Sequence, residues 1–288
     1  MSARRPESLV GTVVGGHRLV QHVASGGLGH VFVATNPSRR EPFAVKLLRA
    51  DLDQRALQLG RFEREAKAAS GIRHPNVLEV HGEAQTDGDF RFFSMELLRG
   101  LDLADTLHRQ RSLAPSRAVR VARAIARGLD AAHAAGVVHR DVKPENVFLV
   151  HASDGREIPK VIDFGSAWVE SDAESAPRGR ITIRSALAVG TPEYMPPEQL
   201  ERVPGHPSAD VYALGILLVE LLTGRVPFVG SNWQEVVHLH ATREVPRVQG
   251  VSRELADVIE QMVRKRPQDR FVCMSAVDAA LGGTLEAE

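Results

Sequence analysis

The stretch that decides the fold reads His139-Arg140-Asp141-Val142-Lys143-Pro144-Glu145-Asn146, and the apolar run Val147-Phe148-Leu149-Val150 follows it. It places a carboxylate, an ammonium group and a side-chain amide next to a strand-like segment. Further along, Asp163-Phe164-Gly165 follows a second strand-like run, Lys160-Val161-Ile162. Aspartates at two strand-to-loop exits, together with an asparagine, are ligands that suit hard divalent cations carrying phosphate oxygens. The sequence therefore indicates a phosphate-handling site.

These two motifs resemble the H-R-D-x-x-x-x-N and D-F-G motifs of the protein kinases. The resemblance implies that Asp141 orients the acceptor hydroxyl and takes its proton, and that Lys143 neutralises the γ-phosphate of ATP. It also implies two Mg²⁺ ions, held by Asn146 and Asp163, with Mn²⁺ as an alternative metal. A lysine two residues after the aspartate resembles Ser/Thr kinases more than tyrosine kinases.

A glycine-rich turn lies between the strand-like runs 17–20 and 31–34. Glycine lets the backbone approach a phosphate closely, and the amides of such a turn can donate to it. The turn resembles the kinase glycine-rich loop, G-x-G-x-x-G-x-V, with alanine in place of the first glycine. The implied nucleotide contacts are Ala24, Gly26, Gly29 and Val31. From the residues alone, a hairpin without a ligand is an equally good interpretation.

The next strand-like run, 41–49, contains Phe43-Ala44-Val45-Lys46, which resembles the kinase V-A-I-K motif. The resemblance implies that Lys46 holds the α- and β-phosphates and that Ala44 packs against the adenine. Spacings of three and four residues predict a helix over 57–69. In this helix Glu65 resembles the glutamate that pairs with the strand lysine, and a solvated helix carboxylate is the alternative interpretation.

Two strands are predicted near 77–83 and 91–97, where Met95-Glu96-Leu97-Leu98 resembles the kinase gatekeeper and hinge. Met95 would then border the nucleotide pocket, and backbone groups of Glu96 and Leu98 would contact the adenine edge. Leu149 would pack under the adenine. Asp102 would contact the ribose or, equally well, cap the helix that begins near it.

Residues 163–198 resemble the activation segment of kinases. In related kinases an arginine in the place of Arg140 meets a phosphate on this segment, which implies regulation by phosphorylation at Ser185, with Thr182 as a second position. Thr191 resembles the residue that Ser/Thr kinases tie to the Asp141–Lys143 pair. A carboxylate near Arg140 is the alternative partner for that arginine.

Two further contacts are implied by the resemblance in the C-terminal half. Asp210, at the start of an apolar helix, would bind the backbone of the loop that begins at His139. Glu198 would pair with Arg270. Amphipathic spacing predicts a long helix opening at Pro115, and shorter helices are expected near 233, 255 and 276.

Composition limits the class of protein. The 288 residues are 43% hydrophobic and 25% charged, and the formal net charge is zero, which argues against a nucleic-acid binder. A single cysteine permits no internal disulfide and fits a reducing compartment. The longest apolar run, 211–222, is too short to span a bilayer. We therefore expect a cytoplasmic protein without a membrane segment.

The resemblance extends over residues 17–281 and implies an α+β, bilobal protein kinase-like fold. A small β-rich lobe would cover 17–97 and a larger helical lobe 98–281, with an irregular lead-in over 1–16 and a frayed tail over 282–288. Within the family, the sequence resembles the bacterial eukaryotic-like Ser/Thr protein kinases.

The resemblance implies a Ser/Thr kinase that uses ATP, acts on protein substrates and phosphorylates its own activation segment. A pseudokinase serving as a nucleotide-binding interaction module and a kinase of small molecules are the alternatives. A homodimer is a further option that the sequence leaves open.

Overall fold

The structure is a computed structural model that describes residues 5–49, 56–152, 154–169, 191–200 and 205–286. The chain divides into two compact units. The first unit comprises Met1–Arg73, Leu78–Arg99 and Asp163–Gly165. The second unit comprises His74–Val77, Gly100–Ile162 and Ser166–Glu288. The predicted combination of a β-rich part and a helical part is confirmed.

The first unit is an antiparallel sheet with one helix. Its strands are β1 (Val13–Val14), β2 (His17–Ser25), β3 (Gly29–Thr35), β4 (Phe43–Leu48), β5 (Gln85–Asp87) and β6 (Phe90–Met95), in the spatial order β1-β2-β3-β4-β6-β5. Helix α1 (Ala56–Ser70) packs on one face, where the rings of Phe62 and Phe93 lie 5.0 Å apart. All residues of β4 are buried except Lys46, which is partly exposed. The lysine therefore lies on a strand whose other residues are all packed in the interior.

The lead-in corrects one prediction, because residues 5–16 are not irregular. Pro6–Leu9 form a 3-10 helix, and β1 pairs with β2. Leu9 and Val14 are buried in the hydrophobic core of the first unit together with Phe32. Each buried apolar side chain contributes about 1.5–3 kcal/mol, so this short segment is held by tertiary packing that its sequence pattern does not reveal.

The predicted strand over 77–83 is also wrong. Val77 and Val80 each form only an isolated bridge, the first with Val161 and the second with Met95. Gly82 has a φ of 91°, which ends extended structure at that point. The hairpin forms later, between β5 and β6, and β5 is exposed along its whole length. An exposed strand lacks the alternation of apolar and polar residues that would have predicted it.

Helices dominate the second unit. They are α2 (Leu103–Gln110), α3 (Pro115–Ala134), α4 (Ser208–Thr223), α5 (Trp233–Thr242), α6 (Arg253–Met262) and α7 (Met274–Glu286). Proline opens α3, where its missing N–H is not needed. Helix α4 is buried on nearly all sides and ends at Gly224 in the left-handed conformation. Helix α7 continues to Glu286, so the predicted tail is helical up to that residue.

Short strands complete the second unit and hold the loop that begins at His139. They are β7 (Gly100–Asp102), β8 (Val137–Val138), β9 (Val147–His151), β10 (Glu157–Val161) and β11 (Trp168–Val169). One sheet has the order β10-β9-β7, and β8 pairs with β11. The loop 139–146 thus leaves one sheet and enters the other. Within the described ranges, none of the helices has both the length and the apolar character needed to cross a membrane.

Candidate active site

A buried ion pair joins β4 to α1 in the first unit. The ammonium nitrogen Nζ of Lys46 lies 2.5 and 2.7 Å from the two carboxylate oxygens of Glu65. The side chains are only 14% and 5% exposed, so water screens the pair weakly. The structure therefore shows the pairing that the sequence predicted, and it excludes a solvated carboxylate at Glu65.

Asp163 adds a second carboxylate to this pair. Burial lowers the pKa of Lys46, but the carboxylates of Glu65 and Asp163 outweigh burial and leave the pKa raised. Burial raises the pKa of Glu65 to about 7, with Asp163 adding to the rise and Lys46 opposing it. Two carboxylates thus share one ammonium group, and the surplus negative charge suits a bound cation.

The backbone at Asp163 is strained in a way typical of functional loops. Its φ is 63°, in the left-handed region that non-glycine residues rarely adopt, and its Oδ1 accepts a hydrogen bond of 3.0 Å from the Gly165 amide. Two other described non-glycine residues share this feature, Arg140 with a φ of 68° and Arg111, after the end of α2, with a φ of 66°. Asp163 and Arg140 belong to the motifs that the sequence singled out, and such strain persists where the surrounding structure imposes it.

The glycine-rich turn closes the hairpin of β2 and β3. The Gly26 amide donates to the Gly29 carbonyl at 2.8 Å, and Ala24 lies opposite Val31. A Cβ atom on Gly29 would lie 2.4 Å from the Leu47 carbonyl oxygen, so close packing against β4 requires glycine there. At Gly26, by contrast, a Cβ would meet nothing closer than 4.0 Å. Packing therefore explains the glycine at position 29, whereas position 26 has space for a larger side chain.

The predicted hinge follows β6. Met95 is buried and lies opposite Ala44 in the sheet. The Glu96 amide donates to the Glu79 carbonyl at 2.9 Å, and a carboxylate oxygen of Glu96 accepts from the Glu79 amide at 2.8 Å. A contact of the Glu96 backbone with adenine would therefore use its carbonyl oxygen. Leu98, the other predicted hinge residue, is partly buried at the end of this segment.

The second unit gathers three predicted residues, Lys143, Asn146 and Thr191, around the Asp141 carboxylate. Lys143 Nζ lies 2.9 Å from Oδ2, and the Asn146 side-chain amide donates to the same oxygen at 3.1 Å. The Thr191 amide and hydroxyl donate to Oδ1 at 3.2 and 3.3 Å. Lys143 also donates to the Thr191 hydroxyl at 2.6 Å, so the predicted tie between Thr191 and the Asp–Lys pair is present. The carboxylate is therefore held in one orientation.

A buried carboxylate in the first turn of α4 binds the backbone of the loop that carries Asp141. Asp210 accepts hydrogen bonds from the backbone amides of His139 and Arg140 at 2.9 and 2.8 Å, as the sequence predicted. Burial raises the pKa of Asp210, but the hydrogen bond from His133 and the other donors outweigh burial and leave it lowered. The group therefore stays ionised and accepts from the loop backbone.

Two predicted nucleotide contacts also lie in the second unit. Asp102 caps α2, because its Oδ1 accepts from the Asp105 amide at 2.6 Å. This confirms the structural interpretation, while a ribose contact stays a prediction. Leu149 is 1% exposed within β9. The predicted phosphorylation positions, Thr182 and Ser185, lie outside the described residues.

The implied pairing of Glu198 with Arg270 is present. The guanidinium nitrogens Nη1 and Nη2 lie 2.5 and 2.8 Å from the two carboxylate oxygens. Arg270 also stacks on the Tyr212 ring at 4.8 Å. The segment that ends at Glu198 is therefore tied to the helical core.

Sequence reasoning missed His133, which lies in the last turn of α3. Its Nε2 is 2.8 Å from Asp210 Oδ2. Because an ionised carboxylate can only accept, His133 donates this bond and completes the anchor of the loop. A histidine in the last turn of a helix gives no sequence signal of such a role. Gln199 was also missed, because a single glutamine gives no sequence signal that its amide donates to the Arg140 carbonyl, here at 3.4 Å.

A second missed feature is a polar cluster around His240 on α5. His240 is 1% exposed, its Nδ1 is hydrogen-bonded to the Tyr212 hydroxyl at 2.8 Å, and its carbonyl accepts from Lys265 at 2.9 Å. Burial lowers the pKa of His240 to about 4, and the charge of Lys265 acts in the same direction. The imidazole is therefore neutral at physiological pH.

A family model described as a protein kinase domain matches residues 17–281. The chain belongs to the protein kinase family. Two contacts that the resemblance implied are present in the described residues: Lys46 pairs with Glu65, and Thr191 contacts the Asp141–Lys143 pair.

Curated relatives named Ser/Thr-protein kinases support the more specific resemblance. PknE of Mycobacterium tuberculosis is 37% identical over 283 residues, covering 97% of this chain and 48% of the relative. PkaB of Streptomyces coelicolor is 39% identical over 262 residues, covering 89% and 60%. Pkn3 of Myxococcus xanthus is 33% identical over 276 residues, covering 94% and 50%. The chain thus spans about half the length of these bacterial relatives, and the predicted resemblance to bacterial Ser/Thr kinases is confirmed.

Proposed function

We propose that this chain transfers the γ-phosphoryl group of ATP to Ser or Thr hydroxyls of protein substrates. The observation that carries the proposal is the cluster around Asp141, in which Lys143, Asn146 and Thr191 hold one carboxylate in place. Phosphoryl transfer needs little covalent help from a protein, so positioning and charge neutralisation supply most of the rate. A fixed carboxylate beside an ammonium group provides both.

In this proposal Asp141 accepts the proton of the acceptor hydroxyl. Its Oδ1 is bound by Thr191 and its Oδ2 by Lys143 and Asn146, so the carboxylate is held in one orientation. Lys143 is 20% exposed, and its ammonium group would neutralise charge on the transferred phosphoryl group. Thr191 would release Asp141 in part when a substrate hydroxyl enters. A Ser or Thr side chain is the acceptor that the relatives' names suggest.

Lys46 would hold the α- and β-phosphates, with Glu65 fixing the position of its ammonium group. The amides at Gly26 and Gly29 would lie over the phosphates, and Ala24, Val31, Ala44, Met95 and Leu149 would line the adenine pocket. Glu96 and Leu98 would supply backbone contacts, and Asp102 would contact the ribose. Each of these roles is taken from the family and is testable by nucleotide affinity.

The residues present fit a divalent cation. The Asn146 amide nitrogen donates to Asp141, so its side-chain oxygen is the atom left to coordinate a metal. Asp163 shares the ammonium group of Lys46 with Glu65, and a cation there would balance the surplus negative charge. Hard oxygen donors of this kind suit Mg²⁺, with Mn²⁺ as an alternative. When bound, Mg²⁺ neutralises charge on the phosphate oxygens.

One assay separates this proposal from a pseudokinase and from a small-molecule kinase. The chain is incubated with labelled ATP and Mg²⁺, with and without a generic protein acceptor. Label on protein supports the proposal, whereas label only on small molecules supports the small-molecule kinase. Nucleotide binding without transfer supports the pseudokinase.

Substitution then tests the role of Asp141. Asp141→Asn should lower transfer by about 10²–10⁴-fold, the usual contribution of a general base, with little change in ATP affinity. Asp154→Asn, in the exposed turn between β9 and β10, is the matched control and should transfer at the wild-type rate. Wild-type turnover in Asp141→Asn would remove this residue from the mechanism.

We also propose that the chain phosphorylates its own activation segment at Ser185, with Thr182 as a second position. Arg140 would meet that phosphate, since charge-assisted bonds to arginine order phosphorylated segments. Intact mass and peptide mapping after incubation with ATP test the modification, and Ser185→Ala and Thr182→Ala test its effect. Full activity in the double variant, or absence of phosphate between residues 163 and 198, would contradict the proposal.

A further inference from the structure

A row of polar side chains runs along one end of the β2–β3 hairpin, beside the glycine-rich turn. The Ser25 hydroxyl lies 3.0 Å from His22 Nε2 and 2.8 Å from His30 Nδ1. The carboxylate of Glu7, in the 3-10 helix of the lead-in, lies 3.7 Å from His22 Nδ1. Two imidazoles therefore converge on one hydroxyl at the base of the turn. We call His22, Ser25 and His30 the hairpin clasp.

A β-bulge brings the three side chains to the same face of the sheet. His22 lies opposite Phe32 and Ser25 opposite His30, and Phe32 and His30 are two residues apart on β3. Residues two apart and residues directly opposite share a face. His22 and Ser25 are three apart and would point to opposite faces in a regular strand. The register shift between His22 and Ala24 supplies the extra residue that aligns them.

The clasp lies on the face of the sheet opposite to Lys46. Val31 is the residue that lies opposite Lys46 in the ladder, and it alternates with His30 and Phe32 along β3. The clasp therefore shares its face with the core residues Leu9, Val14 and Phe32, and the His22 ring lies 5.3 Å from the Phe32 ring. The two hydrogen bonds of the clasp thus join the ends of β2 and β3 on the face opposite to Lys46.

The positions of the protons follow from the surroundings. A carboxylate near Nδ1 of His22 favours the proton on that nitrogen, which leaves Nε2 as an acceptor. The Ser25 hydroxyl then donates to His22, and its oxygen accepts from the Nδ1–H of His30. The two bonds thus run in one direction and both can form with neutral imidazoles.

The turn needs such support, because three of the residues 26–29 are glycines. Glycine loses more conformational freedom on ordering than any other residue. Within the turn itself, the bond from the Gly26 amide to the Gly29 carbonyl is the closing contact. A clasp outside the turn fixes the ends of both strands without placing side chains where a nucleotide would bind.

We propose that His22, Ser25 and His30 are positioning residues of the glycine-rich turn, and that their two hydrogen bonds hold the turn in the closed form that takes ATP. This inference rests on the proposed kinase function. When only a fraction of a protein is in the competent conformation, its apparent affinity falls by that fraction. Loss of the clasp should therefore weaken ATP binding and leave the chemical step nearly unchanged.

The test compares Ser25→Ala with Ser25→Thr, which restores the hydroxyl. Ser25→Ala should speed hydrogen exchange at the Gly26 amide in the protein without nucleotide. It should also raise KM for ATP about fivefold, the effect expected for loss of weak hydrogen bonds, and change kcat by less than about twofold. Ser25→Thr should return both quantities to wild-type values. His30→Phe, which keeps a ring and removes the donor, should reproduce Ser25→Ala.

Asn36→Ala is the matched control, because it removes a hydrogen bond to His17 at the far end of the same hairpin. It should leave Gly26 exchange and KM for ATP unchanged. Equal effects of Ser25→Ala and Asn36→Ala, or no recovery in Ser25→Thr, would overturn the inference. If the wild-type chain transfers no phosphate, the kinase proposal fails. The exchange of the Gly26 amide would still decide whether the clasp holds the turn.

Discussion

Two buried ion pairs, Lys46 with Glu65 in the first unit and Arg270 with Glu198 in the second, have similar distances and different surroundings. The shortest contact is 2.5 Å in each pair. All five N–H donors of Arg270 are used, two by Glu198 and three by backbone carbonyls of Ser208, Arg264 and Lys265. The described hydrogen bonds of the Lys46 ammonium both go to Glu65, and Asp163 adds a further negative charge.

The difference shows that a buried ion pair can be closed to further partners in one place and open to them in another. The Arg270 pair is balanced in charge and saturated in hydrogen bonds, so any change leaves buried groups without partners. At the Lys46 pair, Asp163 adds a second negative charge, and the raised pKa of Glu65 lets that carboxylate take up a proton near neutral pH. A pair that is poised in this way can exchange partners when a phosphate or a cation binds.

Breaking the Arg270–Glu198 pair, which is saturated in hydrogen bonds, should have the largest effect on stability. Arg270→Met leaves Glu198 and three carbonyls without their donor, and the free energy of unfolding should fall by about 3–5 kcal/mol. Arg264→Met, which breaks the exposed pair with Glu260, is the matched control and should cost less than about 0.5 kcal/mol. Urea denaturation measures both. Equal losses would mean that burial of the Arg270 pair is unimportant for stability.

Breaking the Lys46–Glu65 pair should lower activity more than it lowers the stability of the fold. Lys46→Met should lower phosphoryl transfer by about 10²–10³-fold, the loss typical of a fixed group that stabilises developing charge. Its unfolding free energy should fall less than that of Arg270→Met, because Glu65 can become neutral by taking a proton. Lys67→Met, on the exposed side of α1, is the control for both measurements. Loss of stability as large as in Arg270→Met would contradict the distinction.

His240, which lies beside the Arg270–Glu198 pair through Tyr212, should make the stability of the chain sensitive to acid. Folding holds the pKa of His240 at about 4, below its ordinary value of 6.5, so the unfolded chain binds the proton first as pH falls. Relative to His240→Gln, the wild-type chain should lose roughly 2 kcal/mol of stability between pH 7 and pH 5. His151→Gln, at an exposed position, should follow the wild-type curve. A wild-type curve parallel to that of His240→Gln would rule out this source of acid sensitivity.

The Lys46–Glu65 pair should show the opposite trend with pH. The folded pKa of Glu65 is raised, to about 7 from 4.5, so between these values the folded state binds the extra proton. Relative to Glu65→Gln, the stability of the wild-type chain should therefore fall as pH rises through this range. Urea denaturation in metal-free buffer at several pH values measures the difference. A wild-type stability that falls, relative to Glu65→Gln, as pH is lowered through this range would show that Glu65 stays ionised in the folded chain.

Long periodic segments and motif spacing predicted most of the fold. The helix opening at Pro115, the apolar helix of residues 208–223 and the strand of Lys46 formed as expected. The errors fell on short segments, the strand over 77–83 and the lead-in, where apolar residues are too few to show a period. There, contacts with distant residues such as Val161 and Phe32 decided the structure.

The sequence by itself determined the family and the helical core, because the order and spacing of motifs can be read along the chain. For the same reason it was enough to select the candidate site residues, which are Lys46, Glu65, Asp141, Asn146 and Asp163. Tertiary structure alone decided the anchor from His133 to Asp210, the cluster around His240 and the hairpin clasp. These depend on which side chains a bulge, a helix end or a neighbouring strand brings within hydrogen-bond distance. Isolated histidines and serines carry no period or motif, so only their neighbours in space give them a role.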